Sequence, residues 1–274
     1  MIGTVTTLGV VFRPQFPPEQ LRDVAVAADE SGLAELWLWE DFGYESGISA
    51  AAAALGWTER VRVCVGVLPV PLRNVVLSAM EVATLDRLFP GRAVIGFGHG
   101  VQKWMGQAGV RPESPVTLLR EYLVALRQLL SGERVTTSGR YVNLDGVRLK
   151  WPPETRPTIL AGAIGPKSLA VCGEEADGVI LTASAGPAGV RAAHELVGAD
   201  VPITVSLRAA IGDGAQDRID GEKTDDPNEI GAANDDIPAL VAQLADAGAS
   251  TVVLQPTPDE PDLAGLVRYA AGLR

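Results

Sequence analysis

Two hydrophobic patterns alternate along this chain. Short β-branched apolar runs predict strands, and longer stretches with apolar residues at helical spacing predict helices. The predicted strands are 6–12, 34–39, 60–70, 92–98, 157–162, 177–182, 200–209 and 250–255. The predicted helices are 18–32, 47–57, 74–88, 114–132, 166–174, 187–197, 236–247 and 260–273. The pattern therefore predicts that each strand is followed by one helix.

This number of strand–helix units favours a closed barrel, because an open doubly wound sheet usually has fewer. Strict alternation implies parallel strands joined by right-handed crossovers. We predict an α/β fold of the (β/α)₈ TIM-barrel type, as one domain over residues 1–274. Polar alternation around an SGR turn at 133–151 predicts a β-hairpin inserted after the fourth helix. The Gly- and Asp-rich stretch 212–235 predicts a solvated, partly disordered surface loop.

Composition limits which binding partners and which cellular compartment are expected for this chain. The net charge of -11 over 274 residues disfavours binding to nucleic acid, whose phosphates it would repel. The two cysteines, Cys64 and Cys172, are too few for a disulfide framework and are predicted to be buried free thiols. Neither a secretory leader nor a membrane-spanning apolar stretch is apparent. We expect a cytoplasmic protein with a small-molecule partner and without a metal site, since its two histidines are far apart.

Three alternating glycines, Gly96, Gly98 and Gly100, end the fourth predicted strand in "GRAVIGFGHGVQKWMG". A dinucleotide fingerprint would need a sixth-position glycine, where Val101 stands, and a helix directly afterwards. No clear helix is predicted before Ser114, so that interpretation fails. The run favours a ligand loop at the mouth of the barrel, the end where the carboxyl ends of the strands lie. A simple tight turn is the alternative, although three glycines would weaken the strand.

A second glycine loop follows the fifth predicted strand. The residues Gly165, Pro166, Lys167 and Ser168 open a helix whose free amides, with the lysine charge, would attract a phosphate. An ordinary helix cap explains the same residues equally well. Charge favours this loop over the 212–235 stretch, whose carboxylates would repel phosphate. Those carboxylates are Asp213, Asp217, Asp220, Glu222, Asp225 and Asp226.

Three side chains near strand ends are candidates for chemistry. Glu40 and Asp41 follow the second predicted strand, and alternation points them to opposite sides, one toward the mouth. His99 lies in the fourth loop, whereas His194 falls on a predicted helix face. The alternatives are a strand-end hydrogen bond or salt bridge for the carboxylates, and a satisfied loop histidine for His99.

Three segments together resemble the luciferase-like monooxygenase superfamily, the flavin- and deazaflavin-dependent barrels. They are "PEQLRDVAVAADESGLAELWLWED", "VGVLPVPLRNVVLSAMEVATLDRLFPGRAVIGFGHG" and "GAIGPKSLAVCGEEADGVIL". They occur in the family's order and cover most of residues 8–182. The 133–151 hairpin also resembles an insertion common in that family.

The resemblance implies an oxidoreductase that transfers a hydride between coenzyme F420, or alternatively FMN, and a small organic substrate. It implies that the cofactor ring lies over a bulge at the end of strand three, with a non-proline cis peptide expected at Gly66–Val67. The expected cofactor-binding residues are Gly66, Val67, Gly98, Gly100, Gly162, Gly165, Lys167 and Ser168. The expected catalytic residues are Glu40, Asp41 and His99.

Several alternatives stay open at this point. The enzyme can be an FMN-dependent monooxygenase, or a degenerate barrel that binds a cofactor without turnover. The acidic 212–235 stretch would repel the carboxylates of an F420 tail unless a cation intervenes. Apolar outer helices at 48–57 and 74–88 would suit a homodimer interface.

Overall fold

A barrel of parallel strands surrounded by helices forms this protein. The structure is a computed structural model that describes residues 6–222 and 228–273. The strands are β1 (Thr7–Phe12), β2 (Glu35–Leu38), β3 (Arg62–Pro69), β4 (Ala93–Gly98), β5 (Val135–Ser138), β6 (Asn143–Val147), β7 (Ile159–Gly162), β8 (Gly178–Leu181), β9 (Ile203–Ala210), β10 (Gly231–Ala233) and β11 (Thr251–Pro256). The helices are α1 (Leu21–Ser31), α2 (Gly47–Trp57), α3 (Val75–Leu88), α4 (Gln102–Gln107), α5 (Pro115–Leu130), α6 (Pro166–Glu175), α7 (Gly186–Val197), α8 (Ala215–Gly221), α9 (Asp236–Asp246) and α10 (Leu263–Gly272).

Eight of the strands close into a ring, as the alternating pattern predicts. Their order is β11-β1-β2-β3-β4-β7-β8-β9, and β9 pairs with both β8 and β11. All of these pairings are parallel. The (β/α)₈ TIM barrel predicted from the sequence is therefore confirmed, with every predicted barrel strand in place.

Strand alternation divides the core into two layers. Ile203, Val205 and Leu207 of β9 belong to the large apolar core between the strands and the helices. The alternate side chains of β9, which are Thr204, Ser206 and Arg208, consequently face the interior of the barrel. A separate apolar cluster fills that interior: Val11, Trp37, Cys64, Val94, Leu160 and Val253. The barrel is thus packed below its mouth.

The predicted hairpin follows α5, as expected. Strands β5 and β6 pair antiparallel, with Val135 opposite Val147. The Glu121 carboxylate of α5 accepts hydrogen bonds from the amides of Arg140, Tyr141 and Val142 at 2.8–3.0 Å. One helix side chain therefore ties down the turn that carries the insertion.

The prediction is wrong at two places after strand ends. Helix α4 begins at Gln102, where we expected no helix before Ser114. Helix α8 and strand β10 lie in the 212–235 stretch that was predicted to be a loop, and β10 pairs with Arg208–Ala210 of β9. Ala215 and Ile219 of α8 pack with Ala210 and Ala233 in a small cluster. This packing overrides weak local helix propensity. The predicted residues Asp225 and Asp226 lie outside the described residues.

Cys64 and Cys172 are both free and buried, as predicted. Among residues 6–222 and 228–273, no helix is both long and apolar enough to cross a bilayer. The same residues contain no group of three or more histidine, cysteine, aspartate or glutamate side chains placed to hold a metal ion.

Candidate functional site

The predicted glycine turns after β3, β4 and β7 lie side by side at the mouth. Strand β4 pairs with both β3 and β7, and Gly98 lies opposite Gly162. The register of β3 shifts between Val65 and Leu68, which places a bulge where we expected one. The peptide bond between Gly66 and Val67 is cis, also as expected.

The glycines of this wall make room for protein side chains. A Cβ atom on Gly98 would lie 2.8 Å from Val67 Cγ2, and one on Gly162 would lie 2.8 Å from Val67 Cγ1. A Cβ on Gly96 would lie 2.7 Å from Cδ1 of Ile180. We interpreted these positions as allowing a flat ligand to approach the backbone. In the structure these glycines allow the side chains of Val67 and Ile180 to pack against the backbone. Contact of the glycines with a ligand stays a prediction.

The start of α6 fits the predicted anion seat. Gly165 is the residue before the helix, and a Cβ there would meet no atom within 4 Å. Among the described residues, no side chain caps this helix start. Lys167 is exposed, so its side chain can reach a ligand, whereas Ser168 is buried and its contact with a phosphate stays a prediction. Unpartnered first-turn amides and a nearby ammonium group are a favourable environment for a phosphate.

The neighbouring carboxylates Glu40 and Asp41 have different surroundings. Oε2 of Glu40 accepts a hydrogen bond from the Gly47 amide at 2.8 Å, and Oε1 pairs with Arg73. This carboxylate therefore binds a first-turn amide of α2 and neutralises a half-buried arginine. A catalytic role for Glu40 stays a prediction, but both of its oxygens already have partners.

The Asp41 carboxyl group lies close enough to Arg13 for the charge of the arginine to act on it. Burial raises the pKa of Asp41, the Arg13 charge opposes that rise, and Glu45 adds to it. Asp41 therefore holds a proton to a higher pH than an exposed aspartate would. That one of the two carboxylates faces the mouth stays a prediction, and Asp41, on which the charge of Arg13 acts, is the candidate.

His99 occupies a turn that other polar groups hold in place. Its Nδ1 lies 3.2 Å from the Gly100 carbonyl oxygen. Nε2 of Gln102 donates to the carbonyl oxygens of His99 and Gly100, at 2.9 and 3.2 Å. Gly100 has a φ of +68°, which favours glycine there. The catalytic role of His99 stays a prediction, while its position beside the mouth fits one.

Sequence reasoning missed a buried charge cluster on the opposite wall. Nη1 of Arg13 lies 2.7 Å from Oε1 of Glu222, and Nε of Arg208 lies 3.0 Å from Oε2 of the same carboxylate. The signal that could have revealed it is an arginine inside the apolar strand "ITVSLRAA". A cavity of about 560 Å³ opens here, lined in part by Arg13, Arg218 and Glu222.

These arginines change the electrostatics predicted for the 212–235 stretch. Glu222 is held by two of them, and Arg218 pairs with Glu260 at 3.3 Å. Glu222, in the described part of the acidic stretch, is therefore neutralised by arginines at the mouth. Cations that could shield a negatively charged ligand from the remaining carboxylates of that stretch are thus present.

A second cavity lies at the other end of the barrel. It has a volume of about 520 Å³ and is bounded by the end of α5 and the start of β7, with Arg127, Ser131, Glu154 and Arg156 in its wall. Its lining includes none of the predicted catalytic or cofactor-binding residues. The predicted site residues are instead gathered at the mouth.

The sequence profile of a known family matches most of the chain. Residues 3–220 match the sequence profile of the luciferase-like monooxygenases. The protein belongs to that family, as the resemblance of its three segments implied.

Curated relatives include F420-dependent enzymes. The chain is 30% identical over 178 residues to the 5,10-methylenetetrahydromethanopterin reductase of Methanolobus tindarius, covering 65% of this chain and 54% of the relative. It is 36% identical over 184 residues to the F420-dependent glucose-6-phosphate dehydrogenase of Kineococcus radiotolerans, covering 63% and 55%. The matched region therefore spans about half the length of these relatives.

Solved structures show the same fold over nearly the whole chain. An F420-dependent secondary alcohol dehydrogenase in complex with an F420-acetone adduct superposes with a TM-score of 0.83 at 18% identity, covering 97% of this chain and 98% of the other. The monooxygenase RslO1 from Streptomyces bottropensis superposes with a TM-score of 0.82 at 20% identity, covering 97% and 98%. At these identities the likeness establishes the fold alone.

Proposed function

We propose that this protein is an oxidoreductase that transfers a hydride between coenzyme F420 and a small organic substrate at the barrel mouth. FMN is the alternative cofactor. The observation that carries the proposal is the meeting of two features at one end of the barrel: the β3 bulge at Gly66–Val67 and the uncapped start of α6. The relatives named as F420-dependent glucose-6-phosphate dehydrogenases support F420 as the first choice.

The residues at the mouth fit such a cofactor. The open space at Gly165 and the exposed Lys167 leave room and charge for its phosphate. We assign the phosphate to Gly165, Lys167 and Ser168, and the ring to the wall formed by the β3, β4 and β7 ends. When bound, the cofactor supplies a ring that accepts or donates a hydride. The protein binds and orients the substrate against it and excludes water.

Asp41 is the residue we assign to proton handling. Its carboxyl group is partly buried beside the mouth, and burial raises its pKa. A carboxyl group in this state can give a proton to a substrate oxygen or take one from it. His99 is the second candidate, and Glu40 ranks below both because its oxygens bind Gly47 and Arg73.

Cofactor titration tests the proposal. The pure protein is titrated separately with F420 and with FMN, and its tryptophan fluorescence is followed; Trp37 and Trp39 lie in and beside the barrel interior. We expect saturable quenching by F420 and weaker quenching by FMN. Stronger binding of FMN, with oxygen consumed during turnover, would favour the monooxygenase alternative. Binding without hydride exchange for any substrate would favour a degenerate barrel, and no binding of either cofactor would end the proposal.

The proposal also covers assembly as a homodimer, location in the cytoplasm and organisation as a single domain. Helices α2 and α3 carry the exposed apolar side chains Trp57, Leu77, Met80 and Leu88, which would suit the interface of a homodimer. Two buried free cysteines are compatible with the reducing cytoplasm. We propose that residues 1–274 form one domain.

A further inference from the structure

Two buried arginines hold one carboxylate on the wall of the mouth formed by β1, β11 and β9. Arg13 and Arg208 are only 8% and 6% exposed. Each binds a different oxygen of Glu222, at 2.7 and 3.0 Å. Each also donates to a backbone carbonyl, Arg13 to Pro256 at 2.9 Å and Arg208 to Ile219 at 2.7 Å. The two guanidinium groups are therefore fixed in position.

The arginines and the carboxylate come from different kinds of element. Arg208 belongs to β9 and Arg13 directly follows β1, so both are anchored in the barrel wall. Glu222 instead follows the seven-residue helix α8. The cavity of about 560 Å³ is lined by both Arg13 and Glu222. The Arg13 guanidinium carbon lies 5.7 Å from the centre of the Trp39 ring, which adds an aromatic surface beside it. A ligand in the cavity therefore contacts Arg13 directly, and it reaches Arg208, which is not part of the lining, where Glu222 moves away.

We infer that Arg13 and Arg208 form an anion-binding site that Glu222 occupies here as an internal ligand. A small organic substrate that carries a carboxylate takes the place of Glu222 and binds both arginines. Paired guanidinium groups match the two oxygens of a carboxylate, and buried arginines need a counter-charge.

Charge balance favours a carboxylate over a phosphate. The cations of Arg13 and Arg208 meet the carboxylates of Glu222 and Asp41, which acts on Arg13 through its charge. The same cavity is also lined by Arg218, which pairs with Glu260, and by the carboxylates of Asp217 and Asp259. Exchange of Glu222 for another monoanion leaves that balance unchanged. A phosphate dianion would add an uncompensated charge to a buried site, which is costly.

The site is separate from the proposed phosphate seat. The ring order places β1 and β7 four strands apart in either direction, so Arg13 and the α6 start lie on opposite sides of the mouth. The inference rests on the proposed function only in calling the anion a substrate. The binding site itself can be tested without a cofactor.

The test uses benzoate as the probe and benzamide as its neutral analogue, measured by isothermal titration calorimetry without cofactor. We expect wild-type protein to bind benzoate weakly, because Glu222 competes. The Glu222→Gln variant should bind benzoate at least tenfold more tightly, since a neutral amide competes less well. Asp217→Asn, which alters the same cavity lining without a contact to either arginine, should behave like wild type. Benzamide should bind none of the proteins measurably.

Three results would overturn the inference. The first is equal benzoate affinity in wild type and Glu222→Gln, and the second is equal binding of benzamide and benzoate. The third is displacement of benzoate by F420, which would assign the arginines to the cofactor tail. Should Glu222→Gln fail to fold, Glu222→Asp keeps the charge but shortens its reach. It should bind benzoate more tightly than wild type, and unchanged affinity would again overturn the inference. Since the cofactor titration contains no benzoate, the two proposals fail independently.

Discussion

At the scale of single residues, adjacent carboxylates in this chain differ because their partners differ. Glu40 binds the Gly47 amide at the α2 start and pairs with Arg73, whereas the charge of Arg13 acts on Asp41. Alternation along the chain predicts that the two point apart, but the sequence does not show which of them meets a cation. That depends on arginines far away in sequence, 33 residues from Glu40 in the case of Arg73.

The raised pKa of Asp41 predicts a pH-dependent cost in stability. The folded state holds this proton to a higher pH than the unfolded chain, whose value is near 3.8. Stability is therefore lost as pH rises from that value through the folded pKa. We expect Asp41→Asn to raise the melting temperature at pH 7, with the gain over wild type shrinking as the pH falls toward 3.8. A gain that is constant across this range, measured by differential scanning calorimetry, would contradict the assignment.

The proposed contact between Lys167 and the cofactor phosphate should contribute to the affinity for F420. Removing its ammonium group by Lys167→Ala should weaken F420 binding by about 1–3 kcal/mol, the range for a charge-assisted contact. The fluorescence titration measures this change. Lys150→Ala removes another exposed lysine, after the hairpin, and should leave affinity unchanged. Equal affinities for both variants would remove the phosphate from the α6 start.

At the scale of elements, the strands were predictable and the short pieces after them were not. Helix α2 has the predicted bounds, 47–57, because its alanines and flanking residues signal a helix locally. Helix α8 and strand β10 depend on contacts with β9, so local patterns do not reveal them. The same reason hides the pairing of Arg208 with Glu222. The sequence predicts that the glycines lie at the mouth, but it does not predict that the Val67 side chain packs against them.

The contact between Val67 and the glycines predicts that the stability effects of substitutions at Val67 and Gly162 depend on each other. Gly162→Ala places a Cβ 2.8 Å from Val67 Cγ1, and such overpacking should cost about 1–3 kcal/mol of unfolding free energy. In a Val67→Ala background the clash is absent, so the same substitution should cost much less. Gly165→Ala meets no atom within 4 Å and serves as the control. Denaturant unfolding without cofactor measures all four variants. Equal costs of Gly162→Ala in both backgrounds would show that Val67 does not fill this space.

At the scale of the whole molecule, two cavities at opposite ends of the barrel are candidates for a ligand site. One cavity opens at the mouth beside Arg13, and the other lies at the opposite end near Arg127 and Arg156. The fold alone favours the mouth, since sites in TIM barrels gather at the carboxyl ends of the strands. The sequence predicts this end as well, because its glycine turns and candidate carboxylates all follow strands.

An experimental structure of the protein with bound F420 tests the central claim most directly. We predict that the ring lies at the mouth beside the Gly66–Val67 bulge and that the phosphate lies at Gly165, Lys167 and Ser168. Cofactor bound instead in the cavity near Arg127 and Arg156, or with its phosphate away from the α6 start, would contradict the account.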